Sequence, residues 1–474
     1  MLPTIATGNV GSALAGEYEV ANSLRFDDGS SDFLSKTFWS AGNQQIMTIS
    51  FWMKRSDLSG TKEVISQGTG SACHLNFQSS GTLEMNLRNS VNGGSNVFLI
   101  TNRLFRDVSA WYHIVLALDT TQGTASNRAK LYVNGVQETS FGTENYPGQN
   151  GNLFFNEASA MQIGEDTGGS NFNFDGYLTE FVFIDGQQLT PTSFGEFDED
   201  TGIWKPIDVS GLTFGTNGFY LDFENSGSLG ADVSGNGNNF TVNNLTSIDQ
   251  STDTCTNNFA TFNALSKNDS GTITFSNGNL TTAHSGSDSV YSSYSTIGVS
   301  SGKWYTEFKV DASANPDVMT GIGSDVEERN RTGGYLGSSS GTWGYDSTDG
   351  SIYNNGSSSS YGNSYANGDI IGIALDLDNN KLYFSKNGTF QNSGDPTSGA
   401  TGTGAISITA NETYFMCCGH ASTTTRTSTY SANFGSPPFS ISSGNSDGNG
   451  YGNFEYSVPS GYYALNTKNL AEYG

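Results

Sequence analysis

Charged residues are scarce in this chain, and basic residues are the scarcest of them. Only 14% of the 474 residues are charged, and 46 acidic residues against 20 basic ones leave a formal net charge of −26. Nucleic-acid binding needs a basic surface, and docking on an anionic membrane needs a polybasic patch. We therefore expect no nucleic-acid partner and no electrostatic attachment to a membrane.

Cysteine is also rare, and long apolar runs are missing. Cys73, Cys255, Cys417 and Cys418 have neither metal-site spacing nor the pattern of a disulfide framework, which suits maturation in a reducing cytoplasm. There is no apolar run of about 18 residues, the length that crosses a bilayer. The first residues lack the basic and apolar segments of a signal peptide. We therefore expect no membrane insertion.

Glycine and aromatic residues are abundant instead. The sequence contains 60 Gly, 30 Phe and 22 Tyr, a combination typical of short strands linked by tight turns. No stretch shows the apolar stripe of an amphipathic helix. The expected fold class is all-β, and the chain is too long for one ordinary domain.

The clearest strand signal is a hairpin that occurs once in each half of the chain. Residues 370–377 alternate between apolar and small or acidic side chains, Asn379-Asn380 supplies a tight turn, and residues 381–386 return. Residues 111–135 share its Ala-Leu-Asp, Lys-Leu-Tyr and Asn-Gly motifs. The repeat predicts two tandem β-sandwich domains, and we expect an ordered bridge to join them.

Composition shifts along the chain suggest where these parts begin and end. The expected organisation is an extended N-terminal arm (1–16), a first sandwich (17–205), the bridge (206–265), a second sandwich (266–440) and a C-terminal tail (441–474) folded back on the second sandwich.

Several motifs resemble those of known families. LRFDDGSSDFL, TISFWMKR, WYHIVLALDT and FDGYLTEFVFIDGQQLTPTSFGEF resemble, in order, the strands of laminin-G-like (concanavalin-A-like) jelly rolls. GKWYTEF, GIGSD, WGYDSTDGSIYNNG, GDIIGIALDLDNNKLYFSKNG and ANFG resemble the strands of a SPRY-type sandwich. With the arm, the GTNGFYLDF bridge and the ALNTKNL ending, the order resembles virion appendage proteins of tailed bacteriophages, particularly marine ones.

That resemblance implies a non-enzymatic tail fibre or spike on the virion, assembled in the host cytoplasm. The arm would attach to other virion proteins, and loops of the sandwiches would bind a host-surface glycan or protein. Fibres of this kind are often homo-oligomers, and a trimer is one expectation. The alternative is a capsid or tail decoration protein whose sandwiches pack on other virion subunits, and a polysaccharide-degrading enzyme is a more remote one.

Catalytic patterns are weak. Concanavalin-like glucanases use a Glu-x-Asp-x-x-Glu strand, and the nearest run, Glu196–Thr201, has Thr201 in place of the third carboxylate and a glycine after it. His113 lies within a predicted strand, where a packed histidine is favoured over a base. We therefore expect no enzymatic activity.

Four aromatic residues in a loop-rich stretch are candidates for stacking on a sugar. These candidate ligand-binding residues are Trp343, Tyr345, Tyr353 and Tyr361. The alternative is core and hairpin packing, since Trp343 and Tyr345 alternate as strand residues do. Tyr353 and Tyr361 are the more loop-like pair.

Clustered carboxylates suggest a Ca²⁺ site, because Ca²⁺ takes oxygen ligands. The candidate ligands are Asp27, Asp28 and Asp32 in one loop and Asp175 later in the same sandwich. Related laminin-G-like domains hold Ca²⁺ with an acidic loop. The loop 232–239 is a second candidate, and its alternative is a tight polar turn.

Overall fold

The structure is a computed structural model. It describes residues 18–70, 72–169, 172–265, 272–286, 292–313, 318–325, 335–420 and 426–474. The described chain forms two compact units, the first ending at Thr256 and the second running from Asn257 to Gly474. The predicted arm, residues 1–16, lies outside the described residues.

The first unit is a β-sandwich. Its strands are β1 (Ser23–Phe26), β2 (Phe33–Thr37), β3 (Ile46–Arg55), β4 (Lys62–Gln67), β5 (Cys73–Phe77), β6 (Thr82–Leu87), β7 (Phe98–Leu104), β8 (Trp111–Asp119), β9 (Ala129–Val133), β10 (Val136–Glu138), β11 (Phe141–Glu144), β12 (Ala160–Ile163), β13 (Gly176–Asp185), β14 (Gly195–Phe197), β15 (Trp204–Pro206), β16 (Phe219–Leu221), β17 (Thr241–Asn243) and β18 (Gln250–Ser251). One sheet has the order β10-β9-β8-β3-β13-β1-β18, with β16 also on β13, and the facing sheet has the order β11-β7-β6-β5-β4-β12-β2-β17. β14 and β15 pair with each other.

Alternating apolar side chains of both sheets fill the space between them. The rings of Phe51 and Phe181, for example, stack with centroids 5.0 Å apart. The outer face of β3 is buried as well, because Trp52 packs with Trp111 and Trp204 in a second apolar cluster. The first sheet is therefore covered on both faces, and a ligand surface must lie at its ends or on the other sheet.

Residues 206–256 complete the first sandwich. β16 pairs with β13, β17 with β2, and β18 with β1. A buried ion pair holds the end of this segment, since Lys54 Nζ lies 2.6 Å from Asp253 Oδ2. The predicted bridge (206–265) thus divides at Thr256, and its larger part supplies edge strands to the first unit.

The second unit is also a sandwich. Its strands are β19 (Thr272–Ser276), β20 (Thr281–Gly286), β21 (Ser292–Val299), β22 (Lys303–Ser313), β23 (Val318–Ser324), β24 (Thr342–Asp346), β25 (Ser351–Asn354), β26 (Ser357–Ser360), β27 (Ile370–Asp376), β28 (Lys381–Lys386), β29 (Thr389–Phe390), β30 (Ile406–Ser407), β31 (Tyr414–His420), β32 (Arg426–Asn433) and β33 (Tyr463–Ala464). One sheet has the order β19-β20-β32-β22-β27-β28-β29, with β30 on β28 and β33 on β22, and the other has the order β21-β31-β23-β24-β25-β26.

Helical structure is short. The α-helix α1 spans Thr467–Tyr473, and 3₁₀ turns occupy Ala125–Asn127, Pro191–Ser193, Ser247–Asp249, Gln391–Ser393 and Pro396–Thr401. Among the described residues, no helix is long and apolar enough to cross a membrane. The prediction of an all-β fold with tandem sandwiches is confirmed.

The two repeated hairpins are β8–β9 and β27–β28, and in each sheet the second strand of the hairpin is one strand away from the edge. The alternation over residues 370–377 is typical of a strand with one buried face, but every residue of β27 is buried. The C-terminal residues cover its other face, where Phe454, Tyr462 and Ala464 pack on Tyr383.

Glu307 holds the C-terminal segment in place. Its carboxylate accepts hydrogen bonds from the backbone N–H of Glu455 at 2.9 Å and of Tyr456 at 2.8 Å. The Tyr305 hydroxyl and the Asn433 amide donate to it as well. Burial raises the pKa of Glu307 to about 7. One fully buried side chain thus joins β22, β32 and the tail.

Candidate functional site

Strand register brings three chain segments together at one end of the first sheet. Phe26, the last residue of β1, pairs with Gly176, the first of β13, and Gly176 also pairs with Arg55, the last of β3. Asp27 follows β1 directly and Asp175 precedes β13 directly. Antiparallel pairing therefore places these carboxylates at the same end of the sheet.

The acidic cluster consists of Asp27, Asp28 and Asp175. Each offers one carboxylate oxygen, and these oxygens all lie within 4.8 Å of one another. Ca²⁺ binds oxygen ligands at about 2.3–2.6 Å, so three oxygens at this spacing can contact one ion. Three of the four predicted metal ligands are therefore brought together.

Asp175 is the most informative member of the acidic cluster. It is only 3% exposed, and the charged groups that act on it are the carboxylates of Asp28, Asp27 and Asp57 and the Lys62 ammonium. Burial, reinforced by the carboxylates of Asp28 and Asp27, raises its pKa well above the usual value. A buried carboxylate beside two others is costly, and a hard cation such as Ca²⁺ suits such a cluster.

A lysine borders the acidic cluster. The Lys62 ammonium forms ion pairs with Asp28 and with Asp57, the latter at 2.7 Å. Burial by itself lowers the pKa of Lys62, but its contacts with Asp28 and Asp57 raise it above the usual value. A divalent ion at Asp28 would compete with this ammonium group.

Sequence reasoning missed Lys62 and Asp57, although a signal for Asp57 was present. The signal is the position of Asp57 two residues after Arg55, the last residue of the strand TISFWMKR. Arg55 pairs with Gly176, the residue after Asp175. Lys62 opens β4 on the facing sheet, and no pattern in the sequence relates it to the loop at Asp28.

The fourth predicted ligand, Asp32, does not join the acidic cluster. Its Oδ2 accepts a hydrogen bond from the backbone N–H of Asp27 at 2.9 Å and closes the loop. Burial raises the pKa of Asp32 to about 6. We correct its assignment, because its carboxylate organises the loop that carries Asp27 and Asp28.

The predicted aromatic ligand site is corrected for Trp343 and Tyr345. Trp343 is 4% exposed and Tyr345 is fully buried. Trp343 packs edge-on against Tyr414, and Tyr345 stacks on Phe384 with ring centroids 5.2 Å apart. Both rings belong to the core of the second unit and present no face to a ligand.

The other two aromatic candidates are half-buried. The Tyr361 hydroxyl accepts a hydrogen bond from the backbone N–H of Phe384 at 3.1 Å, and its ring packs against Tyr345. Tyr353 lies on β25 and contacts Tyr335 edge-to-face. The four residues therefore form no shared stacking surface, although Tyr353 retains some exposure.

His113 has the surroundings of a structural residue. Nδ1 accepts a hydrogen bond from the Trp204 indole, so the neutral ring carries its proton on Nε2, which donates to Ser50 Oγ at 2.9 Å. Burial lowers the pKa of His113 to about 3. A base for Ser50 would need the opposite tautomer, so this pair does not activate a nucleophile.

The Glu196–Thr201 run forms a surface turn. Asp198 Oδ1 accepts a hydrogen bond from the Thr201 backbone N–H at 2.8 Å, and Glu196 is exposed on β14. These carboxylates do not line a cleft as a glucanase pair does.

A polar group on the facing sheet was not predicted. Glu63 is 1% exposed, and its Oε1 has no hydrogen-bond partner. Asn76 donates to its Oε2 at 3.4 Å, and His74 contacts Glu84 on the neighbouring strand. Burial raises the pKa of Glu63 to about 8, so its carboxyl group keeps its proton at neutral pH.

Comparisons with known families agree with this architecture. Residues 28–194 match the model described as the concanavalin A-like lectin/glucanases superfamily, and residues 303–430 match the SPRY domain model. No curated protein matches the chain. Each match covers part of one unit.

Three solved structures are similar to parts of this chain. The SPRY domain of human HERC1 is 20% identical, with 36% of this chain and 96% of that chain covered at a TM-score of 0.28. A SAP-like pentraxin from Limulus polyphemus is 19% identical, with 36% of this chain and 80% of that chain covered at a TM-score of 0.28. A putative carbohydrate binding protein from Bacteroides ovatus is 17% identical, with 48% of this chain and 59% of that chain covered at a TM-score of 0.32. These likenesses concern the fold alone.

The chain is thus built from a concanavalin A-like module followed in tandem by a SPRY domain.

Proposed function

We propose that this protein is a non-enzymatic binding protein that holds Ca²⁺ in its acidic cluster and contacts a host-surface glycan or protein through its sandwich loops. The observation that carries the proposal is the buried carboxylate of Asp175, which lies with those of Asp27 and Asp28 within 4.8 Å of one another. This cluster lies at a loop end of a module whose family includes lectins.

The bound ion would neutralise carboxylates that otherwise repel one another. Asp27, Asp28 and Asp175 would hold it, and Ca²⁺ would supply a positive centre for ligand oxygens. Lys62 would keep its ion pair with Asp57, and its ion pair with Asp28 would be replaced by the bond between Asp28 and the ion. The loop would then be ordered by charge as well as by the hydrogen bond from Asp27 to Asp32.

The absence of a catalytic arrangement at the predicted positions supports binding rather than catalysis. Ser50 and His113 have the wrong tautomer for nucleophile activation, and the Glu196–Thr201 carboxylates organise a turn. Incubation with host polysaccharide should release no reducing ends. Release that depends on a carboxylate of the protein would overturn the non-enzymatic proposal.

We further propose that the protein is a virion appendage of a tailed bacteriophage, either a tail fibre or a spike. The support is the order of sequence motifs, from the uncharged N-terminal arm through the two modules to the ALNTKNL ending. In this role the arm attaches to other virion proteins, and the chain forms a homo-oligomer. The alternative role is decoration of the capsid or tail.

The binding proposal is tested by adsorption of the purified protein to fractionated host envelope, with Ca²⁺ and with the chelator EGTA. We expect adsorption to one glycan or protein fraction that EGTA weakens. Absence of adsorption to every fraction would overturn the receptor role, and adsorption unaffected by EGTA would overturn the role of Ca²⁺.

The virion proposal needs a separate observation. Labelled antibody against the protein should mark the tail tip in electron micrographs of phage particles. A regular array on the capsid would support decoration instead, and absence from particles would overturn a virion role altogether.

A further inference from the structure

Trp39 is the one tryptophan of this chain that faces solvent. Its side chain is 92% exposed, whereas Trp52, Trp111, Trp204, Trp304 and Trp343 are each at most 4% exposed. All six tryptophans of the sequence lie within the described residues. Tryptophan is highly buried on average, so such exposure calls for a physical explanation.

The loop that carries Trp39 is held by a hydrogen-bond network. The carboxylate of Asp185 accepts from the backbone N–H of Asn43 at 2.7 Å, from the Asn156 amide at 2.7 Å and from the backbone N–H of Asn217 at 3.1 Å. The Asn217 amide in turn donates to the carbonyl oxygen of Ser40 at 2.9 Å. The residue after Trp39 is therefore tied to a buried polar centre.

Close packing on both sides of Trp39 reinforces this order. Phe38 is 4% exposed and lies in the core. A Cβ atom at Gly42 would lie 2.5 Å from the Asn156 amide nitrogen and 2.6 Å from Asp185 Oδ2, so the backbone there approaches the network as only glycine can. The indole is thus presented by a well-braced loop.

The loop segments joined to Trp39 are uncharged, although Asp185 and Asp232 border them and the Lys36 ammonium lies 5.7 Å from the centre of the Phe38 ring. Residues 38–45, 213–218 and 233–239 contain no Asp, Glu, Lys or Arg, in a chain with 46 acidic residues. Asp232, beside the third loop, accepts backbone N–H groups of Tyr220, Ser234 and Asn238. This arrangement makes 232–239 a tight polar turn, in which the Asp232 carboxylate is occupied by backbone N–H groups.

The second and third loops are connected to the first through hydrogen bonds. Asn217 reaches Ser40, and the Asn238 amide donates to the carbonyl oxygens of Thr216 and Gly218. The three loops are therefore hydrogen-bonded to one another, and their side chains are rich in serine, threonine and asparagine. Besides Trp39, Val233 is the one large apolar side chain of these three loops that is exposed, at 47%.

We propose that Trp39 is the anchor of a binding site for a neutral saccharide. The apolar face of a pyranose ring would stack on the indole, and its hydroxyl groups would meet the neutral polar groups of the adjoining loops. The carboxylates of Asp185 and Asp232 repel an anion, and because protein donors occupy them they are not free for a cation. The isolation of the indole argues against a protein partner, whose anchor residues are ringed by a wider contact surface.

This site is distinct from the acidic cluster. The loop with Asp27 and Asp28 precedes β2, and Trp39 follows its end at Thr37. β2 has five residues and therefore spans about 17 Å. The inference rests on the proposed binding function and deepens it by naming the ligand class and the residue that contacts the ligand.

Acrylamide quenching of tryptophan fluorescence tests the proposal directly, because Trp39 supplies the accessible fraction. The probes are neutral oligosaccharides of glucose, mannose, galactose and N-acetylglucosamine, added to the full-length protein. We expect one of them to reduce the quenching constant at least twofold and to shift the emission to shorter wavelength. No protection by any probe would overturn the proposal.

Variants then locate the effect. Trp39→Ala should lose at least tenfold in affinity for that oligosaccharide by calorimetry, with Ca²⁺ binding unchanged. Val136→Ala, at another exposed apolar residue of the same unit (54% exposed), is the matched control and should bind normally. Equal binding by Trp39→Ala would place the saccharide elsewhere, overturning this inference and leaving the proposed function intact.

Two further outcomes would replace the saccharide with another occupant. A second copy covers the ring if the quenching constant decreases as protein concentration rises without any saccharide, and if the Trp39→Ala variant no longer forms the oligomer. Adsorption to a deglycosylated host protein that Trp39→Ala abolishes would show a protein ligand. Either result overturns the saccharide assignment.

Discussion

The indole Nε1–H of Trp204 donates a 2.9 Å hydrogen bond to Nδ1 of His113, a residue 91 positions earlier in the chain. This bond assigns the proton of the neutral imidazole to Nε2, which points at Ser50. The three side chains form a closed polar group on the outer face of the first sheet, within otherwise apolar surroundings. Their role is structural, since each nitrogen and the hydroxyl oxygen has a partner.

Trp204→Phe should destabilise the first unit. Phenylalanine retains most of the apolar contact but leaves His113 Nδ1 buried without a donor, which costs about 1–3 kcal/mol in the free energy of unfolding. Urea denaturation followed by circular dichroism measures the loss. Trp39→Phe is the matched control, and as a surface change it should alter stability by less than about 0.5 kcal/mol. Equal effects of the two substitutions would contradict the assignment.

Asp175→Asn should abolish stabilisation by Ca²⁺. At a Ca²⁺ concentration about 100 times the dissociation constant, the wild-type free energy of unfolding rises by about 2.7 kcal/mol, a melting-temperature increase of about 5–10 °C for a unit of this size. EGTA should reverse the rise. Asp208→Asn, at an exposed aspartate of the same unit, is the control and should respond as wild type. A Ca²⁺ response retained in Asp175→Asn would refute the site.

Lys62→Gln should raise Ca²⁺ affinity while lowering the stability of the Ca²⁺-free protein. Removing the ammonium frees Asp28 for the ion but leaves Asp28 and Asp57 without their cation. Breaking a fully buried pair costs about 3–5 kcal/mol, and the partial exposure of both aspartates reduces that figure. Calorimetric Ca²⁺ titration and thermal unfolding measure the two effects.

The matched control is Lys205→Gln, which removes the same charge at a distant position. Lys205 forms ion pairs with Glu196 and Asp198 in the β14–β15 turn region. This variant should leave Ca²⁺ affinity unchanged. If Lys62→Gln weakened Ca²⁺ binding, Lys62 would be a supporting residue of the site and not a competitor.

Glu63→Gln should flatten the pH dependence of stability. The folded-state pKa of Glu63 is raised to about 8, so between pH 4.5 and 8 the folded protein keeps a proton that the unfolded chain releases. Wild-type stability therefore falls as pH rises through that window. The variant should melt above wild type at pH 8 and near it at pH 4.5. Exposed Glu199→Gln should follow wild type throughout, and identical profiles for all three proteins would contradict the burial argument.

Trp343→Ala should unfold the second unit more readily without a selective effect on ligand binding. The ring is 4% exposed against Tyr414, and truncating a core tryptophan costs about 3–5 kcal/mol. Half-buried Tyr353→Ala should cost less. Loss of glycan binding by Trp343→Ala with unchanged stability would restore the stacking role that its burial excludes.

Strand patterning was readable from the sequence because alternation depends on neighbouring residues. The hairpins at 111–135 and 370–386 have the predicted strands, and Asn380 adopts the positive φ of 54° that the tight turn requires. The burial of both faces of β27 was not readable, because its cover is supplied by residues near Phe454 and Tyr462.

The acidic cluster was partly readable for the same reason. Asp27 and Asp28 are adjacent in the sequence, and Asp175 precedes a motif assigned to the same sandwich. The exclusion of Asp32 depends on which way one loop turns, and the entry of Lys62 depends on the packing of β4 against that loop.

By itself the sequence determined the all-β class, the two tandem modules and the family resemblance, since these follow from local periodicity and motif order. The tertiary structure alone decided which rings face solvent. Trp343 and Tyr345 are enclosed by the strands packed around them. Trp39 is exposed in a loop whose following residues are hydrogen-bonded to Asp185, Asn156 and Asn217. Burial is a property of distant residues meeting in space, and no local pattern encodes it.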